Sequence, residues 1–306
     1  MESYPNSSFG YNKTVLIFVL AVYIPMDIII IVGNTFVLVV IRRTPSLHEL
    51  QFTLLASLAF VDLLSGLIGL PLSIWGNITR QSMRLVVDDC ELQYIPGKIF
   101  FATSYTHLLI ITTDRYIAIT KPLHYHKILT RTRIRIYIAL SWIFGCVFGV
   151  LYLFPEIKRR DLNTFFCFQT SKTIGTIAII VAVSLGIIMM IFMYTCIFIE
   201  ARKHHRKLRT SVEKSQFKRT FKGAKTALIV VGFFMMYYLP NVIRIILSIK
   251  IPRSELFWLE WIAEICTGSS MAINPLIYVC RYKRFAQAFH KLCHSSVQTG
   301  SLSEEK

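Results

Sequence analysis

Seven long apolar stretches alternate with short polar segments along the chain, and within each stretch the apolar residues are nearly continuous. A helix needs about 20 apolar residues to cross roughly 30 Å of hydrocarbon, and each stretch reaches that length. A backbone surrounded by lipid must satisfy its own hydrogen bonds, so only helices and closed barrels can cross it. Barrel strands alternate apolar and polar positions, which these stretches do not. The pattern therefore predicts an all-α membrane protein, a seven-transmembrane helix bundle.

The predicted spans leave short segments at both ends of the chain. They are Val15–Ile41, Leu50–Trp75, Tyr94–Ile119, Ile134–Phe154, Thr173–Ile199, Phe221–Ile249 and Leu256–Cys280. An amino-terminal tail, 1–14, precedes the helical domain, 15–280. Segment 281–293 places Phe285, Phe289 and Leu292 on one helical stripe flanked by Lys and Arg, which predicts a short amphipathic helix at the membrane surface. The polar segment 294–306 predicts a disordered cytosolic tail.

Composition and charge agree with a membrane location. Only 17% of the residues are charged and 54% are hydrophobic, whereas soluble domains carry about a quarter charged residues. The segments after spans one, three, five and seven hold 19 Lys and Arg, and the amino-terminal tail and the other loops hold 9. Basic loops face the cytosol, so we expect a multi-pass plasma-membrane protein with an extracellular amino terminus. Topology and anionic lipid explain the basic charge, and no nucleic-acid partner is expected.

The expected covalent modifications follow from this orientation. Cys90 and Cys167 are the only two cysteines on the external, oxidising side, so a disulfide between them is the natural expectation. Cys293 ends the amphipathic segment and is a predicted palmitoylation site. Glycosylation sequons fall on the external side at Asn6, Asn12 and Asn77.

Ionisable residues inside the spans are candidates for function, because each costs roughly 2.5–3.5 kcal/mol to insert. The group comprises Asp27, Asp62, Lys98, Asp114, Arg115, Arg244 and Glu264. His107 also lies in a span, and we expect it to serve packing. One face of the third span carries a stripe that extends roughly 27 Å towards the cytosol, formed by Gly97, Phe101, Ser104, Leu108 and Arg115. A core helix would show the same stripe, although an arginine at its base would be unusual there.

Several short motifs occur in a fixed order along the spans. They are Gly33-Asn34, Leu58–Asp62, Cys90, Asp114-Arg115-Tyr116, Trp142 and Asn274-Pro275-Leu276-Ile277-Tyr278. Together they resemble the landmarks of the rhodopsin-like (class A) G-protein-coupled receptors, including the DRY and NPxxY motifs. Six landmarks in the right order cover nearly the whole chain, which makes chance agreement negligible.

The resemblance implies a receptor rather than an enzyme, and a mechanism that depends on the third helix. Arg115, held near Asp114 by charge, would be released to meet a heterotrimeric G protein when the sixth helix swings outward. Tyr194 and Tyr278 would stabilise the open form, and Leu123 would insert into a pocket of Gα. Arrestin and receptor kinases are further expected partners. The implied coupling set is Asp114, Arg115, Tyr116, Leu123, Tyr194, Asn274, Pro275 and Tyr278.

The resemblance also implies a sodium and water cluster at mid-membrane. A lone carboxylate at that depth needs a cation, a proton or hydrogen bonds. Met271 stands where many relatives offer a polar group, which puts sodium affinity in doubt, and a structural network is the alternative. A sodium ion at Asp62 is the one cofactor considered. The implied cluster is Asn34, Asp62, Ser104 and Asn274.

Four positions depart from the pattern of these receptors. Tyr238 replaces the usual Trp of the sixth helix, and Gly186 stands where the fifth helix commonly has Pro. Tyr105 is bulkier than the aliphatic residue usual at its position. Thr220, rather than an acid, stands at the foot of the sixth helix, so the ionic lock to the DRY arginine is expected to be missing and the barrier to activation lower.

The expected ligand pocket occupies the outer half of the bundle. Amine receptors carry an Asp where this chain has Gly97, and opsins carry the retinal Lys where it has Gly268, so ordinary amine recognition and retinal binding are both unsupported. The stretch Pro122–Thr130 is loosely similar to amine, adenosine and melanocortin-type receptors. The ligand, a small molecule or short peptide, stays unassigned. The pocket set is Gly97, Lys98, Phe101, Tyr238, Asn241, Arg244 and Glu264.

Glu264 has three possible partners at this stage: a cationic group of the ligand, Lys98, or water near the extracellular mouth. Two other protein classes also compete with the receptor interpretation. An intramembrane hydrolase needs a nucleophile and base or a metal cluster, and His107 is the only membrane-embedded histidine. A transporter is disfavoured because no internal repeat is present.

Overall fold

The computed structural model describes residues 13–75, 95–151, 172–207, 211–247, 250–251, 253–281 and 284–291. Nearly all of these residues are helical, and the long helices follow the order of the predicted spans. Their bounds are α1 Lys13–Arg43, α2 Leu50–Trp75, α3 Ile95–Thr120, α4 Arg131–Leu151, α5 Lys172–Lys207, α6 Ser211–Leu247 and α7 Phe257–Arg281. A shorter helix, α8, covers 284–291.

Short turns connect the long helices at the end of the bundle where α1 finishes, here called the basic end because Arg42 and Arg43 occupy the last turn of α1. A 3-10 turn, Pro45–Leu47, leads from α1 to α2, and a one-turn helix, Tyr125–Ile128, precedes α4. α2 itself changes from α-helix to a π-helical segment at Ser65–Gly69 before it resumes.

α3 is the central helix of the bundle and packs against α2, α4, α5 and α6. α7 packs against α1 and α6, and α1 packs against α2. Because its neighbours shield α3 from lipid and supply hydrogen-bonding partners, it can bury many polar side chains. Those that are buried include Thr103, Ser104, His107, Thr112, Asp114 and Arg115.

Two glycines of α4 permit its close approach to α3. A Cβ atom at Gly145 would collide with the side chain of Thr103, and one at Gly149 would collide with Ile99. Small residues at such contacts let helix backbones pack tightly in membranes. The contact fixes the position of the central helix on which most of the candidate site residues lie.

The outward faces of the helices are apolar, as a lipid boundary requires. Ile28 and Val32 of α1, Ile143 of α4 and Ile188 and Phe192 of α5 are all more than half exposed. Within the described residues, four helical stretches are long and apolar enough to cross a membrane: Leu20–Arg43, Leu50–Trp75, Arg131–Gly149 and Val181–Lys203. α3 and α7, with 26 and 25 residues, have comparable length but carry more polar residues.

Candidate functional site

The foot of α3 holds a buried ion pair between consecutive residues. Nε of Arg115 donates a hydrogen bond to Oδ2 of Asp114 over 2.7 Å, and Nη2 of the same guanidinium contacts that oxygen as well. Both side chains are buried. Two buried charges are stable only when they are paired and hydrogen-bonded, and this pair satisfies both conditions. The arrangement is the one that the DRY motif predicts.

Arg115 has a second partner, on α2, that the sequence did not reveal. Its Nη1 donates to Oε1 of Gln51 over 3.0 Å. Nε2 of Gln51 in turn donates to Oε2 of Glu49 over 2.9 Å. Nη1 of Arg284, on α8, contacts Oε1 of Glu49 over 2.7 Å. These four side chains, here called the α2 relay, connect the base of α3 to α8 through the beginning of α2.

The loop after α3 contributes one more contact to the pair. The Tyr125 hydroxyl donates to Oδ1 of Asp114 over 2.7 Å. Burial and the neighbouring Asp114 carboxylate raise the pKa of the Tyr125 phenol, so it stays protonated and remains a donor at neutral pH. Leu123, three residues after Thr120, is 90% exposed and points away from the bundle.

Of the three tyrosines of the implied coupling set, two are buried in the basic half of the bundle, and Tyr116 of α3 is partly buried against the same apolar core. Tyr194 lies on α5 and Tyr278 on α7, and both belong to the main apolar core. The Tyr278 ring meets the ring of Phe285 edge to face with centroids 6.5 Å apart, which joins α7 to α8. Pro275 packs against Gly33 of α1 so closely that a Cβ at Gly33 would lie 3.0 Å from its Cγ.

Asp62 and Asn274, two members of the implied mid-membrane cluster, contact each other directly. Nδ2 of Asn274 donates to Oδ2 of Asp62 over 2.8 Å. The Ser104 side chain, buried on α3, lies near the same carboxylate. Nδ2 of Asn34 donates to the carbonyl of Ile30 over 2.9 Å. Asp62 Oδ1, Asn34 Oδ1 and Ser65 Oγ are buried without a hydrogen-bond partner in the described part of the chain. Buried oxygen atoms without a hydrogen-bond partner are suitable ligands for a small hard cation such as sodium.

Met271, whose position put sodium binding in doubt, is buried close to this cluster. Its carbonyl oxygen lies 3.5 Å from Nδ2 of Asn34. The thioether side chain itself adds no oxygen ligand to the cluster. Across the described residues, no group of three or more His, Cys, Asp or Glu side chains could hold a metal ion.

In the outer half of the bundle, two predicted pocket residues form an aromatic stack. The rings of Phe101 on α3 and Tyr238 on α6 lie 4.9 Å apart at 16°, and Tyr105 continues the stack at 6.3 Å from Phe101. Asn241 joins α6 to α7, because its Nδ2 donates to the Ala263 carbonyl over 3.0 Å and to the Thr267 hydroxyl over 2.7 Å. Gly97, Lys98 and Arg244 are each partly buried.

Glu264 contacts a residue of α1 that the sequence analysis did not place in the pocket. The Tyr23 hydroxyl donates to Oε2 of Glu264 over 3.3 Å, and Tyr23 also meets the Trp261 ring edge to face, 5.6 Å apart. Tyr23 itself is fully buried. An isolated tyrosine in an apolar span was the available signal, but the helix that it would face could not be read from periodicity.

His107 serves packing, as the sequence analysis expected. One ring nitrogen, Nε2, lies 2.6 Å from the Ser57 hydroxyl of α2. The other, Nδ1, lies 2.8 Å from the Thr103 carbonyl and 3.1 Å from the Ser141 hydroxyl of α4. The ring therefore joins α2, α3 and α4 through fully occupied nitrogen atoms, which is typical of a structural histidine.

The two unusual residues in α3 and α5 contact one another. The Tyr105 hydroxyl donates to the Val183 carbonyl over 2.8 Å, and a Cβ at Gly186 would overlap with that hydroxyl. The Tyr105 side chain thus occupies the space that a side chain at position 186 would fill.

The predicted modification sites lie outside the described residues. These are the disulfide cysteines Cys90 and Cys167, the sequons at Asn6, Asn12 and Asn77, and Cys293.

Comparison with known proteins agrees with the geometry. Residues 33–278 match the family described as 7 transmembrane receptor (rhodopsin family). The chain is 30% identical over 283 residues to trace amine-associated receptor 5 of Rattus norvegicus, and this match spans 87% of this chain and 81% of the rat protein. It is 26% identical over 331 residues to adenosine receptor A3 of Canis lupus familiaris, and this match spans 96% of this chain and 99% of the dog protein.

The matched region begins at the Gly33 contact with Pro275 and ends at Tyr278, so it includes the buried Asp114–Arg115 pair and the mid-membrane cluster. The chain therefore belongs to the rhodopsin family of seven-transmembrane receptors, a family of G-protein-coupled receptors and not of enzymes.

Proposed function

We propose that this receptor binds an extracellular ligand in the outer half of its bundle and activates a heterotrimeric G protein at the basic end, with its amino terminus outside the cell. The observation that carries the proposal is the position of Arg115, which is buried at the foot of α3 and held by Asp114 and Gln51. An arginine held by partners on α3 and α2 can turn towards a G protein when the helices rearrange.

Activation shifts the receptor between two states, and a ligand acts only through its different affinity for them. Thr220 stands where related receptors carry an acid, and Asp114 and Gln51 contribute to holding Arg115 in its resting position. The exposed Leu123 supports a direct contact of the loop with Gα. Arrestin and receptor kinases would act on the same cytosolic side.

A panel of reporters for different Gα subtypes, expressed with the receptor in cultured cells, tests the coupling proposal without a known ligand. We expect a signal above that of cells lacking the receptor for at least one subtype, because Thr220 supplies no carboxylate at the position from which an acid restrains this arginine in related receptors. Equal signals with and without receptor, across all subtypes and at confirmed surface expression, would argue against agonist-free coupling.

For the ligand, we propose a small molecule that carries an amino group and pairs with Glu264. Some relatives are named as trace amine-associated receptors, yet Gly97 removes the usual acidic anchor on α3. Glu264, on α7, is the acid of the predicted pocket, and the phenol of Tyr23 hydrogen-bonds to it. The stacked rings of Phe101 and Tyr238 would form an apolar wall for the rest of the molecule.

Substitution at Glu264 separates ligand pairing from internal pairing. If a ligand cation pairs with this carboxylate, Glu264→Gln should weaken agonist potency by roughly 2–5 kcal/mol, the range for truncating one partner of a buried charge pair. Lys98→Met, the matched control, should then change potency little. If Glu264 pairs with Lys98 instead, both single variants should express poorly and the double variant should recover. Unchanged potency of Glu264→Gln at normal expression would remove this residue from the site.

We further propose that the Asp62 cluster binds sodium. The unmatched buried oxygens of Asp62, Asn34 and Ser65 support this assignment. Sodium should then stabilise the purified receptor against heating, because an ion that binds the folded state raises its stability. Asp62→Asn should abolish the stabilisation. If the wild-type receptor and Asp62→Asn respond equally to sodium, the Asp62 cluster is a structural hydrogen-bond network and not a sodium site.

A further inference from the structure

A cleft opens at the basic end of the bundle, away from the ligand pocket. Its volume is about 740 Å³, and the turn after α1, the start of α4 and the helix α8 form its walls. Hydroxyl and amide groups from Thr44, Ser46 and Gln287 line it together with charged side chains. The Asp114–Arg115 pair is not part of the lining.

The charges around the cleft favour an anion. Arg131, Arg284 and Lys291 supply three cations, and Glu49 is the one carboxylate among the lining residues. The Glu49 carboxylate pairs with Arg284 over 2.7 Å, which leaves a positive balance. Arg131 and Lys291 are exposed and come from different helices, one from the start of α4 and the other from α8.

The walls of the cleft are held in place by packing. The Phe289 ring of α8 lies 4.6 Å from the Phe36 ring of α1, and Phe285 is buried against Tyr278. The His48 ring, in the turn before α2, lies 3.1 Å from the Ile41 carbonyl at the end of α1. The cleft is therefore a preformed feature of the bundle, with α8 anchored on one side of it.

The cleft lies at the level expected for the lipid headgroups. Phe36 precedes Arg43, the end of α1, by seven residues, which corresponds to roughly 10 Å along the helix. α8 consequently packs beside the last turns of α1, where Arg42 and Arg43 mark the edge of the hydrocarbon. A membrane lipid beside α1 could place its headgroup in the cleft without leaving the bilayer.

We propose that this cleft binds the headgroup of an anionic membrane lipid that carries several phosphates. Multiple phosphate oxygens match separated arginine and lysine donors better than a single carboxylate does. Basic pockets at the cytosolic side of membrane helices suit such headgroups, because the inner leaflet concentrates anionic lipid. Since Glu49 and Arg284 belong to both the cleft wall and the α2 relay, the bound headgroup would compete with Glu49 for Arg284.

A binding titration tests this site, with the full-length receptor in phosphatidylcholine nanodiscs and a fluorescent short-chain phosphatidylinositol bisphosphate as the probe. We expect saturable binding that weakens about tenfold in the double variant Arg131→Ala with Lys291→Ala, because two phosphate-binding cations are lost. The control double variant, Lys127→Ala with Lys203→Ala, removes the same charge from exposed positions outside the cleft. It should weaken binding less than twofold.

A second variant keeps the cations and adds a charge. Gln287→Glu places a carboxylate in the lining and should also weaken binding, at an unchanged melting temperature of the receptor. Equal losses of probe binding in the cleft and control double variants would overturn the site in favour of diffuse electrostatic attraction. Full displacement of the probe by phosphatidylserine at matched charge would overturn it as well. Competition by soluble inositol trisphosphate at the concentration of the lipid probe would assign the cleft to a free phosphate instead.

Discussion

At the scale of single residues, Gln51 decides how the resting position of Arg115 is maintained. Asp114 is the neighbour of Arg115 in the sequence and can follow it when the side chain moves, whereas Gln51 lies on a different helix. A hydrogen bond between helices resists their separation, and a bond to a charged group contributes about 1.5–3 kcal/mol. Because Thr220 stands where related receptors carry an acid, we expect this bond to α2 to supply part of the restraint on Arg115.

Removal of the Gln51 amide should therefore favour the active state. Gln51→Ala is expected to raise agonist-free signalling roughly fivefold at equal surface density, which corresponds to a loss of about 1 kcal/mol of resting-state stability. Thr53→Ala is the matched control, because Thr53 is exposed on the same turn and bonds only to the Glu49 carbonyl of its own helix. A signal from Gln51→Ala no higher than that of the control would contradict this role.

At the scale of helices, Tyr105 and Gly186 are complementary changes in α3 and α5. The tyrosine fills the space beside the glycine and bonds to the carbonyl of Val183, one turn earlier in α5. Each residue departs from the common receptor pattern, but the two departures fit each other. Their combination keeps α3 and α5 in contact.

A double-mutant cycle tests this complementarity. Gly186→Ala should destabilise the receptor by about 1–3 kcal/mol, because the new methyl group overpacks against Tyr105. Tyr105→Leu removes the obstructing ring end, so the double variant should melt at a higher temperature in detergent than Gly186→Ala alone. Additive losses in melting temperature would show that the two positions act independently.

The sequence predicted the helices well where membrane burial controls them and less well where it does not. The third span, predicted as Tyr94–Ile119, is observed as Ile95–Thr120. α6, predicted to begin at Phe221, begins at Ser211 instead, and α5 continues to Lys207. Hydropathy detects the apolar part of a helix, whereas a helix continues past the membrane as long as its backbone bonds are satisfied.

The candidate site shows the same limit. Arg115, Asp62 and Asn274 could be recognised because they belong to motifs with fixed order and spacing. The partners Gln51, Tyr23 and Tyr125 could not, since each is a single polar residue whose contact depends on how two helices meet. Periodicity predicts which face of a helix is buried but not which side chain on the next helix lies opposite.

At the scale of the whole molecule, the α2 relay and the predicted disulfide lie at opposite ends of the bundle. The relay joins α3, α2 and α8 at the basic end. A disulfide between Cys90 and Cys167 would tie the segment before α5 to the segment before α3 on the extracellular side. Together with the relay, this predicted disulfide would restrain α3, the helix that carries Arg115 at its basic end.

The disulfide leads to a prediction about additivity. Cys90→Ser and Cys167→Ser should each reduce surface expression to the same extent, and the double variant should be no worse, because either change deletes the same bond. Flow cytometry of an amino-terminal epitope measures all three variants against Cys146→Ser, which alters an exposed cysteine of α4. Losses that add up in the double variant would assign separate roles to the two cysteines.

The central claim is that Arg115 transmits the signal from the bundle to a G protein. The most direct measurement compares the wild-type receptor with Arg115→Ala at equal surface density, in cells that carry a reporter of G-protein dissociation. We predict that Arg115→Ala loses the signal while the receptor still reaches the surface in measurable amounts. Full signalling by Arg115→Ala under these conditions would contradict the account.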